Sequence, residues 1–233
     1  MRRRQGPDAP NEILEKPVLL ELIGPVKDYR VLDLGCGDAA IASELINNGA
    51  QSYLGLDGSQ NMVAVASQYL MDVPAQIIHA DIESWEYPPG TFNLVISRLA
   101  LHYLRDLDLI FQKAFSTLTG CGRFIFSVEH PVITSSDKAW QHGGARQDWI
   151  VDDYFKTGPR ITSWMGGQVI KYHRTVEDYF IGLKNAGFSV EHLREAHPQR
   201  EHFTDEATYQ RRSRIPLFLI LASRKISQAS PPC

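Results

Sequence analysis

Three acidic residues follow short apolar runs, and the first of them opens a glycine-containing segment. Asp33 begins the segment Asp33-Leu-Gly-Cys-Gly37, Asp57 ends the next apolar run, and Asp81 ends the one after that. Glycines in such a segment allow the backbone to approach a ligand closely and to adopt positive φ. Asp57 stands twenty residues after Gly37, about the spacing at which a carboxylate accepts hydrogen bonds from ribose hydroxyls. Each carboxylate alone could equally cap a helix or turn, but together they favour a nucleoside site with Asp81 beside an adenine amino group.

The elements that must position these residues alternate between strands and helices. Apolar runs predict strands at 31–34, 53–56, 76–79, 92–96 and 123–128. Helical periodicity predicts helices at 39–48, after Ser59 and over 104–118. The alternation predicts parallel strands with right-handed crossovers and with helices on both faces. Ligands bind beyond the carboxyl ends of such strands, which is where the three aspartates fall.

This alternation stops after residue 130. Residues 131–170 contain Pro, Gly and Trp with little periodicity. Thr175 then begins a predicted helix in which Asp178 approximates a capping box and which Gly187 ends. Strands are predicted again at 188–193 and 216–222. We expect a single domain over residues 1–233, in which residues 131–170, the lid segment, are an insertion over the acceptor site.

Composition restricts the classes of partner. The 233 residues are 43% hydrophobic and 22% charged, with a net charge of −3, so a packed core is expected and a broad nucleic-acid-binding face is not. The longest apolar run near the C-terminus, 217–222, is far shorter than the ~20 residues that span a bilayer, and no apolar segment follows the basic residues 2–4. We therefore expect a cytoplasmic protein with no membrane partner. The three cysteines lack metal-ligand spacing, so no metal is expected.

These segments resemble the class I S-adenosylmethionine-dependent methyltransferases. The matching pieces are, in order, Val31–Asp38, Leu54–Ser59, Ala80–Ile82, Phe92–Ser97 and Gly122–Ser127. The resemblance covers roughly residues 28–128 and extends to the closing strands. It implies a Rossmann-like α/β fold with one doubly wound, mostly parallel seven-stranded sheet and an antiparallel closing strand. It departs from the family at Ala39, where many members have a third glycine, and in the N-terminal helix over the cofactor, which looks shortened or absent.

The resemblance also implies S-adenosyl-L-methionine as the cofactor and gives its positions along the strand ends. The methionine end would be held by Asp33, Gly35, Cys36 and Gly37. The ribose would be held by Asp57, flanked by Gly58 and Met62, and the adenine would face Asp81 and Ile82. The end of the fourth strand would place Ser97 and Arg98 beside the cofactor.

Residues 127–131, 158–160 and 171–175 resemble a bacterial subgroup that acts on small molecules, so the expected partner is a small-molecule methyl acceptor. Methyl transfer from a sulfonium is an in-line displacement, in which a protein mainly aligns the acceptor and excludes water. A base is needed only where the acceptor atom carries a proton that must leave. The candidates, each of which could instead be a hydrogen-bonded structural group, are His102, Glu129, His130 and His173.

Other polar and aromatic residues in and after the lid segment have two interpretations. Five aromatic residues could line an acceptor pocket or attach the segment to the domain: Trp140, Trp149, Tyr154, Trp164 and Tyr172. Arg160 and Arg174 could bind a carboxylate through two hydrogen bonds each. The run Arg211–Arg214 is predicted to be a solvated loop.

Three alternatives remain at this stage. A nicotinamide-dependent dehydrogenase would also use Gly35, Gly37 and Asp57, but it does not require Asp33, and the chain has no Tyr-x-x-x-Lys pair. A non-catalytic cofactor-binding module would keep the same motifs. A macromolecular acceptor, RNA or protein, is the third. The identity of the acceptor, the atom methylated and the oligomeric state are left open.

Overall fold

The elements of the chain follow the predicted alternation through its first half. The computed structural model describes residues 9–70, 73–136, 149–164 and 167–226. In chain order the elements are a π-helical turn (Asn11–Glu15), α1 (Lys16–Ile23), β1 (Arg30–Leu34), α2 (Ala42–Asn47), β2 (Ser52–Asp57), α3 (Gln60–Tyr69), β3 (Ala75–His79), β4 (Phe92–Arg98), a 3-10 turn (Leu101–Tyr103), α4 (Leu107–Thr117), β5 (Leu118–Glu129), α5 (Pro131–Thr134), β6 (Gly158–Trp164), β7 (Gly167–His173), α6 (Val176–Asn185), β8 (Phe188–Glu195), a 3-10 turn (Arg200–His202), α7 (Glu206–Arg212) and β9 (Phe218–Lys225).

A seven-stranded sheet in the order β3-β2-β1-β4-β5-β9-β8 forms the centre of the fold. Strands β1 to β5 pair in parallel, whereas β9 runs antiparallel to both β5 and β8. The predicted fold class is therefore confirmed. The strand order reverses between β1 and β4, so the carboxyl ends of these two strands form the crevice in which such sheets bind ligands.

Apolar side chains cover both faces of this sheet. One cluster packs α1 and α2 against it through residues such as Leu19 and Leu45. The other packs α4 and α6 against the opposite face through residues such as Phe111 and Leu183. Burial on both faces explains why the parallel strands are apolar runs rather than alternating ones.

Two predicted helices begin later than their periodicity suggested, and each has a local cause. Helix α4 begins at Leu107 rather than at 104, because the Asp106 carboxylate caps it by accepting from the amide of Leu109 at 3.0 Å. Helix α2 begins at Ala42 rather than at 39, because Ala39 has a φ of +53° and this left-handed conformation cannot continue a helix. The predicted capping box of Thr175 and Asp178 is confirmed.

The lid segment contains secondary structure that the sequence did not reveal. It includes α5 and most of a β-hairpin formed by β6 and β7, which pair from Gly158 with His173 to Trp164 with Gly167. The alternation along β7 is inverted: Lys171 and His173 are buried, whereas Ile170 and its cross-strand partner Ile161 are exposed. A search for buried apolar residues therefore misses this hairpin. Residues 137–148, including Trp140, lie outside the described residues.

Helices at two further places differ from what the sequence suggested. The N-terminal helix, expected to be shortened or absent, is present over residues 11–23, and α1 is fixed to the sheet by Arg123, which donates to the carbonyls of Leu22 and Ile23 at 3.2 and 2.6 Å. Arg211 and Arg212, predicted in a loop, end α7, which Asp205 caps. Among the described helices, none has the length and apolar character needed to cross a membrane.

One close approach between strands sets the path of the glycine-containing loop after β1. A Cβ atom at Gly55 of β2 would lie 2.7 Å from the Cys36 Sγ and 2.9 Å from a methyl carbon of Ile77. We expect Gly55→Ala to destabilise the fold by about 1–3 kcal/mol, because the added carbon forces this loop to move. Cys36→Ala in the same background should recover part of the loss. Urea unfolding measures both.

The control for this pair is Gly58→Ala, because the nearest atom to its added carbon would be 4.0 Å away. No recovery in the double variant would show that the thiol is not what fixes the separation of β2 and the loop.

Candidate active site

Asp33, the residue that opens the glycine segment, is a buried carboxylate at the switch point. Its Oδ2 accepts a hydrogen bond from the Tyr53 hydroxyl at 2.5 Å. Its Oδ1 is buried and has no hydrogen-bond partner among the described residues. Burial raises the pKa of Asp33 to about 7, although the Tyr53 hydrogen bond and the Arg98 charge act in the opposite direction. An unpaired buried acceptor of this kind suits a cationic donor from a ligand.

Asp57 joins the loops that follow β1 and β2. Its Oδ2 accepts from the Gly37 amide and its Oδ1 from the Ser59 amide, both at 2.8 Å. Ser59 in turn caps α3 by accepting from the Met62 amide at 3.4 Å. The predicted residues Gly37, Asp57, Gly58 and Met62 are therefore brought together in one pair of loops.

The predicted adenine residues lie beside these loops. Asp81 follows β3, and its Oδ1 accepts from the Glu83 amide at 2.9 Å. Ile82 is nearly buried, and its terminal methyl would lie 3.5 Å from a Cβ atom at Gly35. Ile82 therefore stands next to the glycine loop, and Asp81 directly precedes it after β3.

The backbone of the glycine loop has a conformation and an open side that a close ligand could use. Gly35 and Gly37 have φ of +75° and +60°, a region that favours glycine. A Cβ atom at Gly37 would meet no heavy atom within 4 Å, so the backbone there faces open space. Together with the unpaired Oδ1 of Asp33, this arrangement fits the cofactor that the resemblance implies.

Ser97 and Arg98, expected beside the cofactor, are occupied by the protein itself. The buried Ser97 hydroxyl donates to the Leu34 carbonyl at 2.7 Å and so braces β4 against β1. Arg98 donates to the fully buried Glu15 carboxylate, from Nη2 at 2.6 Å and from Nε at 3.1 Å. The Ser127 hydroxyl donates to the other Glu15 oxygen at 2.7 Å. Both residues thus support the site from the side of the sheet and the N-terminal helix.

A second ion pair lies at the end of β5. The Lys171 ammonium, on the buried side of β7, donates to both Glu129 oxygens at 2.6 and 2.7 Å. It also lies 5.8 Å from the centre of the Tyr103 ring. The pair joins the hairpin to the carboxyl edge of the sheet, and it places a carboxylate that is 18% exposed there.

His102 is buried next to this pair. Its Nδ1 accepts from the Glu129 amide at 3.4 Å, so the neutral ring carries its proton on Nε2. The ring also stacks at a tilt on Tyr103, with 4.3 Å between the ring centres. His102 is therefore the predicted histidine that the fold brings to the same edge as Glu129.

The other two predicted histidines are engaged at both ring nitrogens. His130 caps α5 by accepting from the Val132 amide at Nδ1, so its Nε2 donates to Glu195 at 2.9 Å. His173 donates from Nε2 to the Tyr154 carbonyl and accepts from the Thr134 hydroxyl at Nδ1, both at 2.8 Å. Burial lowers the pKa of each below the usual range for histidine. In this arrangement neither ring has a nitrogen left to accept a proton from an acceptor.

The lid arginines bind carbonyl groups rather than a free carboxylate. Arg160 donates to the carbonyls of Ser135 and Lys156 at 3.0 and 2.6 Å. Arg174 donates to the carbonyls of Leu104 and Arg105 at 3.0 and 2.8 Å. Trp149 donates to the Val132 carbonyl at 3.0 Å, which favours attachment of the segment over pocket lining for this residue.

Sequence reasoning missed three residues of the site. Glu15 gave no signal, because it stands among residues typical of any surface helix. Tyr53 could have been noticed as a hydroxyl in an otherwise apolar parallel strand. Lys171 could have been noticed as a polar residue two positions before the candidate His173, because residues two apart point to the same side of a strand. In the described residues His, Cys, Asp and Glu do not form a group that could hold a metal ion.

Comparisons with known proteins agree with this geometry. A family model described as a methyltransferase domain matches residues 31–122. A structure from Mesorhizobium loti, solved as an S-adenosylmethionine dependent methyltransferase, has a TM-score of 0.83 and 34% sequence identity over 90% of this chain and 97% of its own. A Listeria monocytogenes structure provisionally described in the same terms has a TM-score of 0.84 and 33% identity over 91% and 97%. An uncharacterized protein from Haemophilus influenzae is 29% identical over 82% of this chain and 80% of its own length.

The Asp33 carboxyl should destabilise the ligand-free protein at neutral pH. Its pKa is about 7 in the fold and 3.8 when unperturbed. Between about pH 4 and pH 7 the folded state therefore holds a proton that the unfolded state has released, so stability falls as pH rises through this window. An asparagine cannot ionise. We expect the stability of Asp33→Asn, relative to wild type, to increase from pH 4 to pH 7 and to stay level above it.

Urea unfolding of both proteins without ligand, at several pH values, measures this difference. Titrations shared by the two proteins cancel in the comparison. A difference independent of pH would show that Asp33 titrates in the folded state as it does in the unfolded chain.

Proposed function

Because the chain belongs to the class I S-adenosylmethionine-dependent methyltransferases, with S-adenosylmethionine as cofactor, we propose that it methylates an oxygen or nitrogen atom of a small molecule. When bound, this cofactor supplies a methyl group on a positively charged sulfur, which is already an excellent leaving group. The tasks left to the protein are to bind the cofactor, align the acceptor in line with that methyl and exclude water.

We assign the cofactor to the loops at the carboxyl ends of β1 to β4. Its amino-acid end lies at Asp33 and the Gly35–Gly37 backbone, with Cys36 packed behind, and its ribose lies at Asp57. Its adenine lies between Gly58, Met62 and the pair Asp81 and Ile82. The supporting observations are the unpaired Asp33 Oδ1 and the open space above Gly37. Ser97 and Arg98 hold the walls of this site rather than the cofactor itself.

The acceptor site in this proposal lies beneath the lid segment, within a single domain. The observation that carries it is the ion pair between the buried Lys171 and the partly exposed Glu129. It fixes the β6–β7 hairpin across the carboxyl edge of β5, next to the end of β4 where the methyl would lie. A hairpin held this close to the strand ends encloses the volume of a small molecule more readily than that of a folded macromolecule, and it excludes water from the transfer.

Among the four base candidates, the contacts favour His102 and Glu129 as the residues near the acceptor. His130 and His173 already use both ring nitrogens. Glu129 is paired, yet partly exposed at the carboxyl edge. His102, with its proton on Nε2, is a hydrogen-bond donor in this tautomer. We propose that His102 orients the acceptor and that Glu129 sets the charge beside it.

The test of this function is transfer of a tritium-labelled methyl group to a cell extract divided by ultrafiltration. We expect label in the filtered, small-molecule fraction, because the hairpin restricts the acceptor site. The control is Asp57→Ala, which removes the acceptor of the Gly37 and Ser59 amides and should lose cofactor binding and label together. Label confined to the retained fraction would favour an RNA or protein acceptor. Cofactor binding without label in either fraction would favour a non-catalytic module.

The role of His102 is tested by two substitutions that each keep one half of the ring's hydrogen bonding. His102→Asn keeps an acceptor near the Nδ1 position for the Glu129 amide but loses Nε2. His102→Gln keeps a donor near the Nε2 position. We expect turnover to fall by about 100-fold in His102→Asn and less in His102→Gln, with the affinity for S-adenosylhomocysteine near wild type in both.

The control is His192→Asn, which changes an exposed histidine on β8. Equal turnover in His102→Asn and wild type would remove His102 from the acceptor site.

A further inference from the structure

The Asp33 carboxylate is held by one specific partner on the neighbouring strand. Strands β1 and β2 pair in parallel, with Val31 opposite Tyr53 and Asp33 opposite Gly55. Residues 31 and 33 therefore share a face of the sheet with 53 and 55. Tyr53 lies opposite Val31, two residues before Asp33, and its side chain extends along this face toward Asp33. Its hydroxyl donates to Oδ2 of Asp33 at 2.5 Å. Both residues are 1% exposed.

The direction of this hydrogen bond is settled by chemistry. An ionised carboxylate only accepts hydrogen bonds, and burial beside Asp33 raises the pKa of the Tyr53 hydroxyl well above its usual value. Tyr53 therefore keeps its proton at any physiological pH and is the donor to the ionised Asp33 carboxylate. It occupies Oδ2 and leaves Oδ1 as the one Asp33 oxygen without a partner among the described residues.

The charged and titratable groups around Asp33 do not supply a direct counter-ion. Arg98 on β4 attracts the carboxylate, but its guanidinium donates to Glu15 of the N-terminal helix. Asp57 and Glu15 oppose ionisation of Asp33, and the Cys36 thiol of the glycine loop is the remaining neighbour. A cationic group on a ligand would complete this environment.

We propose that Tyr53 is a positioning residue for the cofactor: by occupying Oδ2 it fixes the Asp33 side chain so that Oδ1 accepts from the ammonium group of the cofactor's amino-acid end. The inference rests on the cofactor and not on the acceptor, so it stands or falls separately from the small-molecule assignment. It predicts that Tyr53 contributes only to ligands that carry that ammonium group.

The test is calorimetry of Tyr53→Phe with two ligands. S-adenosylhomocysteine carries the amino-acid end, and 5′-methylthioadenosine lacks it. We expect the affinity for S-adenosylhomocysteine to fall about tenfold, as for a lost hydrogen bond to a charged group, and the affinity for 5′-methylthioadenosine to stay within about twofold. The matched control is Tyr179→Phe, which loses a hydroxyl buried in the apolar cluster on the other face of the sheet.

A second readout separates positioning from general structural support. Wild-type affinity for S-adenosylhomocysteine should rise with pH through the pKa of Asp33, because only the ionised carboxylate attracts the ammonium group. Loss of the Tyr53 donor favours the protonated carboxyl, so the midpoint of this rise should move to higher pH in Tyr53→Phe. In an Asp33→Asn background, Tyr53→Phe should cause no further loss of affinity for S-adenosylhomocysteine.

Equal losses for the two ligands, an unmoved midpoint, or additive effects of Tyr53→Phe and Asp33→Asn would each overturn the proposal. So would a loss as large in Tyr179→Phe. Failure of the wild type to bind either ligand would overturn the cofactor site as a whole, whereas failure to find an acceptor would leave this result unaffected.

Discussion

The buried Asp33 carboxylate near the end of β1, whose Oδ1 has no partner among the described residues, is the constraint on which the cofactor assignment depends. Burial of such a group costs free energy unless it is paired or protonated. The raised pKa of Asp33 is the direct expression of that cost. The Arg98 charge favours the ionised form of Asp33, but the Arg98 guanidinium donates to Glu15 through two of its nitrogens. Under the proposed cofactor assignment, stability in the absence of ligand is exchanged for affinity toward the cofactor's ammonium group, a trade that is common at functional sites.

The acceptor side of the molecule is built on a different principle. The β6–β7 hairpin turns polar residues inward and leaves Ile161 and Ile170 exposed. Its attachment therefore depends on directional contacts, the Lys171 to Glu129 ion pair and the His173 to Thr134 hydrogen bond. Buried pairs of this kind add little net stability but penalise every arrangement in which one partner is left alone. The hairpin is thus held in one position over the strand ends without being part of the apolar core.

The sequence was sufficient to predict the structure where the pattern of apolar burial and the short-range chemistry agree. The parallel strands, the carboxylates at their ends and the Thr175 cap follow from patterns within a few residues, and the structure has them where they were predicted. It was insufficient where a residue's partner is distant along the chain. Glu15 reaches Arg98 and Ser127 across more than eighty residues, and no local pattern encodes that. The hairpin was missed for a related reason, because its inward face is polar and the usual periodicity is reversed.

Under the proposed function, the same contacts bear on whether methyl transfer uses a base from the protein. A base must offer a free lone pair, yet His130 and His173 each use one nitrogen as donor and the other as acceptor. Glu129 accepts hydrogen bonds from the Lys171 ammonium at both of its oxygens. Alignment can supply a larger share of the barrier than proton transfer does, since correct orientation alone is worth about 7–11 kcal/mol and a general base about 100- to 10,000-fold in rate. Under the proposed function, this arrangement favours an acceptor whose lone pair is already available and which the protein has only to orient.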